Sequence, residues 1–167
     1  MSASVLPDYT GGSIVNLMQS VATACGSAQR SYAPLAALPA TQLARARHIA
    51  VLVLDGLGLR MLTRHGVSPH LRACLLGSMT SVFPSTTASA ITSFMTGLAP
   101  AQHGLTGWHM HLEEIDETLA ILPLTPRLGV ARKLPHELPP LLFDDASLFQ
   151  KIDRESWVVA PQAIAGS

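Results

Sequence analysis

Apolar positions along the chain follow two different rhythms. Ile14, Leu17, Met18 and Val21 recur at helical spacing after Ser13, with Gly26 as a stop, and predict an amphipathic helix. Residues 48–54 (HIAVLVL) are instead a near-continuous, β-branched run. That is the pattern of a strand covered on both faces, as in a parallel sheet. Residues 79–83 predict the next strand and residues 87–96 a helix, which Gly97 and the breaker Pro100 close. Ala88, Ser89, Ala90 and Ser93 make that helix thin enough to pack close to a sheet. Residues 157–160 (WVVA) read as another buried strand.

Weaker patterns fill the intervals. Residues 1–10 read as an exposed lead, residues 32–41 as a proline-punctuated covering connection, and residues 42–47 as a helical turn. Residues 58–65 and 69–76 predict short helices. Residues 108–114 and 118–122 predict a hairpin-like excursion around Asp116. Residues 123–140 hold five prolines and predict a long irregular loop. Asp144 or Asp145 would cap a helix over residues 146–152. The expected organisation is a helical lead and connection over 1–47 and an α/β core over 48–167, in one domain or the N-terminal fragment of one. A parallel strand at 157–160 needs a crossover helix, yet the chain ends seven residues later, so a C-terminally incomplete domain is expected.

Composition adjusts this picture in a few respects. Of the 167 residues 48% are hydrophobic and only 13% charged, against roughly 25% charged in average domains, so part of the surface is expected to be covered by more chain or a partner. A net charge of zero with seven histidines gives no electrostatic footprint for nucleic acid or anionic lipid. No run approaches the ~18 apolar residues of a membrane span, and residues 1–12 lack a basic and then apolar leader pattern. Cys25 and Cys74 stand among small or apolar neighbours and read as two buried free thiols, which points to the cytoplasm. No CxxC or Cys/His cluster suggests a structural zinc site.

Candidate chemistry gathers at two strand ends. Asp55 follows the apolar run, and Gly56 and Gly58 let the backbone turn sharply there, at the carboxyl edge where open α/β sheets bind ligands. Ser85, Thr86 and Thr87 crowd the point where the second strand gives way to a helix, whose first N–H groups are free to meet an anion. A carboxylate and a hydroxyl so placed suit metal-assisted phosphoryl or sulfuryl transfer: the carboxylate would hold a divalent cation that lowers the hydroxyl's pKa. The plainer duty of both is helix capping. His109 and His111 alternate and would share a strand face, a metal pair or simply surface residues. His103 reads as holding a turn, the acidic residues 113–117 as a solvated turn, and Trp108 and Trp157 as core or lid aromatics. No P-loop, GxSxG elbow or GxGxxG after a strand occurs.

VLVLDGLG followed by FPSTTASAITSFMTGLAPAQHG resembles the type I phosphodiesterase/nucleotide pyrophosphatase branch of the alkaline phosphatase superfamily. The resemblance covers roughly residues 48–108 without a gap. It implies a three-layer α/β sandwich with a mostly parallel central sheet, hydrolysis of small-molecule phosphodiesters, and a covalent phospho-threonine intermediate. It also implies two divalent metals, usually zinc. On this register Thr87 falls on the nucleophile and metal-bridging position and Asp55 on the first metal-ligand position, with Thr86 the nucleophile if the register slips by one. Two departures stand out. Trp108 occupies the place of an asparagine that binds a phosphate oxygen. The family's Asp-x-x-x-His and Asp-His ligand motifs do not occur after Thr87, and would lie beyond Ser167 in a complete member. The alternatives are another hydrolase of the superfamily (phosphomonoesterase, phosphonate hydrolase or sulfatase) and an inactive chain lacking most metal ligands.

Overall fold

The computed structural model describes residues 5–64, 68–128 and 146–161. Its anchor is α1 (Ile14–Ala24), the helix that the first rhythm predicts. Ser13 stands at its N-cap, and both its N–H and its hydroxyl donate to Asn16 Oδ1, at 3.0 and 2.6 Å. Gly26 turns the chain away at φ +94, and Ser27 N–H donates to the Ala22 carbonyl at 3.0 Å, satisfying one of the helix's last acceptors. The inner face of α1 makes two buried clusters. Met18, Val21, Ala22 and Cys25 pack with Leu148, while Ile14 and Val15 pack with Val82 and Ala99.

The other helices are α2 (Ala40–Leu43), α3 (Leu59–Thr63), α4 (Pro69–Ala73), α5 (Thr87–Thr96) and α6 (Pro100–His103); α2 and α5 pack on α1, α6 packs on α5, and α3 and α4 meet each other at the surface. The helical turn predicted over 42–47 lies earlier, as α2, which starts directly after Pro39 and ends at Leu43. Helix α5 matches its prediction at both ends. Thr86 caps it with a side-chain oxygen that accepts from Ser89 N–H at 3.3 Å, and Gly97 closes it in the left-handed region at φ +73. Gly97→Ala should cost about 1 kcal/mol, because alanine at this φ is strained and its Cβ would stand 3.3 Å from Leu148 Cδ1. Urea denaturation of the variant checks this; an unchanged midpoint would contradict it.

The hairpin predicted around Asp116 is also present. Strands β1 (His109–Leu112), β2 (Glu117–Ala120) and β3 (Thr125–Pro126) form an antiparallel sheet in the order β1-β2-β3. His109 pairs with Ala120 and Leu112 with Glu117. A 3-10 turn over Glu113–Ile115 and a left-handed Asp116 (φ +51) make the reversal. Under this sheet Leu112, Leu119 and Ile121 pack on Leu105. Burying each such side chain is worth ~1.5–3 kcal/mol, enough to give the sheet its own small core.

Several expectations are corrected. No parallel central sheet forms among the described residues. Residues 48–54 run without a ladder partner, leaving Leu52 80% and Leu54 50% exposed. A strand covered on both faces needs neighbours, and the parallel pairing here is reduced to one bridge, Ser13 with Thr80, inside the predicted strand 79–83. Residues 157–160 are likewise no buried strand, and both Trp157 (83% exposed) and Trp108 are exposed rather than core. Cys25 is buried as expected, but Cys74 ends the superficial α4 and is exposed. The predicted loop contains β3 near its start, and its residues 129–140, like Asp144 and Asp145, lie outside the described residues. A 3-10 helix, Leu148–Lys151, stands in place of the longer helix predicted there. Finally, the exposed lead is held down at its end, since Asp8 N–H donates to Thr80 Oγ1 at 2.9 Å. Asp8 is itself a turn residue. Its carboxylate accepts from the Thr10 hydroxyl and N–H, and these bonds hold its pKa below the ordinary value.

Candidate active site

The apolar run delivers Asp55 to a tight turn. Leu57 N–H bonds back to the Leu54 carbonyl at 3.2 Å, and Gly56 occupies φ +79, a conformation that favours glycine. Thirty-two positions later, Thr87 is the first residue of α5. The two side chains meet: Thr87 Oγ1 donates to Asp55 Oδ2 at 3.1 Å.

The three hydroxyls of the turn are thereby told apart. Thr86 is occupied as the N-cap and also contacts Ser89 Oγ at 2.9 Å. Ser85 is exposed, with no hydrogen bond of its own among the described residues. Thr87 alone of the three bonds to a carboxylate, and no acceptor inside the protein takes up the backbone N–H groups of Thr87 and Ala88 among the described residues. These are first-turn donors at the positive end of the helix dipole.

A groove of about 540 Å³ opens beside this pair. Asp55, Ser85 and Thr87 line its polar part, while Ile14, Leu17, Leu52, Leu54, Met79 and Phe94 contribute apolar wall. Trp108 does not line it; its indole is exposed, and its carbonyl accepts from Ile121 N–H at 2.9 Å.

The histidines sit elsewhere. His103 is buried at the end of α6, where its Nδ1 accepts from Leu105 N–H at 3.1 Å. The proton therefore sits on Nε2, which donates to the buried Ser93 Oγ of α5 at 3.2 Å. This ties the turn at residues 103–104 to the helix that carries Thr87. His109 and His111 share the exposed face of β1, with His111 Nε2 3.7 Å from Asp116 Oδ1. The acidic turn that follows is solvated, as predicted.

Whether a divalent metal fits can be tested on the donors present. Asp55 and Thr87 supply a carboxylate and a hydroxyl at one point. Zinc takes about four donors, and among the described residues no group of three or more His, Cys, Asp or Glu comes together. Asp55 and Thr87 together offer only two oxygen donors, and these residues alone do not make a cation site.

A carboxylate hydrogen-bonded to a hydroxyl on the first turn of a helix is an arrangement in which the hydroxyl can be activated as a nucleophile, and equally one that simply ties the two segments together. Residues 49–121 match the family model of type I phosphodiesterase / nucleotide pyrophosphatase, and that span contains Asp55, Thr87 and the His103-Gly104 turn. Comparison with curated proteins and with solved structures found no match.

Proposed function

We propose that the chain carries the nucleophile side of a phosphodiester hydrolase, with Thr87 attacking phosphorus. The observation that carries this reading is the Thr87–Asp55 hydrogen bond at the groove, inside the matched span. In this reading Thr87 Oγ1 forms the new bond to phosphorus while its proton passes to Asp55 Oδ2, already in hydrogen-bonding contact. The P–O bond to the leaving alcohol breaks. The N–H groups of Thr87 and Ala88 face the charge that grows on the non-bridging oxygens, a stabilisation strongest where water is excluded. The departing alkoxide takes a proton from solvent; water then attacks phosphorus and gives up a proton to solvent as the Thr87 Oγ1–P bond breaks, Asp55 returns its proton to Oγ1, and Thr87 is regenerated. Asp55 and Thr87 are also our candidates for metal ligands, and the remaining donors of the two divalent ions would come from outside the described residues.

The test is a panel of bis-p-nitrophenyl phosphate, p-nitrophenyl phosphate and p-nitrophenyl sulfate with zinc supplied, followed by acid quench and mass spectrometry of the peptide bearing Thr87. Preference for the diester and a phosphate on Thr87 are expected. Preference for the monoester or the sulfate would move the chain to another branch of the superfamily. The sparse ligand set favours a second reading, an isolated chain without turnover; stoichiometric zinc in the purified protein would argue against it.

A further inference from the structure

The segment leading into the Ser85–Thr87 turn is not held by a sheet, and what does hold it comes from the other end of the chain. Thr80 is bound on both sides of its backbone: its N–H donates to the Gly12 carbonyl at 2.8 Å, and its carbonyl accepts from Ile14 N–H at 3.2 Å. Its hydroxyl accepts from Asp8 N–H at 2.9 Å and donates to the Gly12 carbonyl at 3.1 Å. Three residues on, Phe83 N–H donates to the Tyr9 hydroxyl at 3.2 Å. Pro84 has no N–H, and none of the N–H groups of residues 85–88 finds a partner among the described residues. The bond to Tyr9 is therefore the last that ties this backbone to another part of the chain before Thr87; the next, from Ala90 N–H to the Thr86 carbonyl at 2.9 Å, belongs to α5 itself. The Phe83 side chain is 71% exposed and cannot anchor the segment in its place.

Tyr9 is well placed for this duty. Its carbonyl accepts from Asn16 Nδ2 at 3.0 Å, its ring leans on Tyr32 with centroids 6.2 Å apart, and it packs against the cluster containing Val82. We propose that Tyr9 is a positioning residue for Thr87: the strap formed by residues 8–16 sets the path of residues 80–83, and so the approach of the Thr87 hydroxyl to Asp55. This rests on the reading of Thr87 as the nucleophile.

Tyr9→Phe removes one oxygen and keeps the ring. In the full 167-residue chain, amide exchange at Phe83 should quicken about fivefold, the worth of one ordinary hydrogen bond. Exchange at Leu119, in the separate core beneath the sheet, should not change. The NMR signals of the Thr87 amide and methyl should shift. With bis-p-nitrophenyl phosphate, kcat should fall about tenfold at unchanged KM, as expected when a reacting group is misplaced. A second pair guards against a folding artefact: Thr80→Ser keeps the bridging hydroxyl and wild-type exchange at Phe83, while the isosteric Thr80→Val loses it. Unchanged Phe83 exchange in both Tyr9→Phe and Thr80→Val overturns the proposal, and so do unmoved Thr87 signals. A wild-type chain without turnover overturns the nucleophile reading instead, and the exchange and shift measurements still decide whether Tyr9 places Thr87.

Discussion

Thr87→Ala should lower turnover of bis-p-nitrophenyl phosphate at least about a thousandfold, because removing a covalent nucleophile removes the reaction path itself. The fold should hardly notice. Alanine is the better helix former at the first position of α5, which offsets the loss of one exposed hydrogen bond to Asp55, so a net stability change within about 1 kcal/mol is expected. Thr86→Ala is the informative contrast. It removes the N-cap and should cost about 1 kcal/mol of stability while leaving the attacking oxygen in place. Steady-state kinetics beside urea denaturation separates the two. Wild-type turnover in Thr87→Ala would sink the assignment, and a thousandfold loss confined to Thr86→Ala would move the nucleophile by one residue.

The largest stability effect should come from Asn16→Ala. Asn16 is fully buried and uses both ends of its amide. Oδ1 accepts from the Ser13 N–H and hydroxyl, while Nδ2 donates to the carbonyls of Tyr9 and Ala33 at 3.0 and 2.8 Å. Alanine would leave four polar groups short of a partner in or near the interior. At ~1–3 kcal/mol for each one that water cannot reach, a loss of about 3–5 kcal/mol is expected. That is a large part of the ~5–15 kcal/mol available to an ordinary domain. A loss under 1 kcal/mol by urea denaturation would show that the strap is held by something else.

Sequence reasoning reached the parts of this molecule governed by local rules. Helix α5 was legible at both ends because a threonine cap and a closing glycine are local devices, and α1 was legible because its apolar stripe has a helical period. The hairpin followed from period-two patterning around Asp116. Asp55 and Thr87 could be named singly from their places in the family pattern, but their contact spans 32 positions and needed coordinates. Choosing among three adjacent hydroxyls also needed coordinates, since Thr86 and Thr87 differ only in which neighbour each faces. The bonds of Asp8 and Tyr9 to Thr80 and Phe83 were missed outright. They cross 72 and 74 positions, and one faint signal could have hinted at them: a polar Asn16 among the apolar positions of α1. The run 48–54 misled in a different way. Its composition predicted cover on both faces, and among the described residues it has no such cover.

That lack of cover bears on how the protein behaves in a test tube. Residues 49–54 are six uncharged residues without proline, rich in β-prone side chains, and among the described residues the Leu54 carbonyl alone of their backbone groups has a backbone partner. Natural edge strands are usually blunted by lysine, proline or a bulge, and this unpaired segment carries neither lysine nor proline. Such a hexamer meets the compositional conditions for a cross-β template, so concentration and storage time become variables of any assay on this chain. The residues that bring Asp55 to Thr87 are also those by which separate molecules would first stick together.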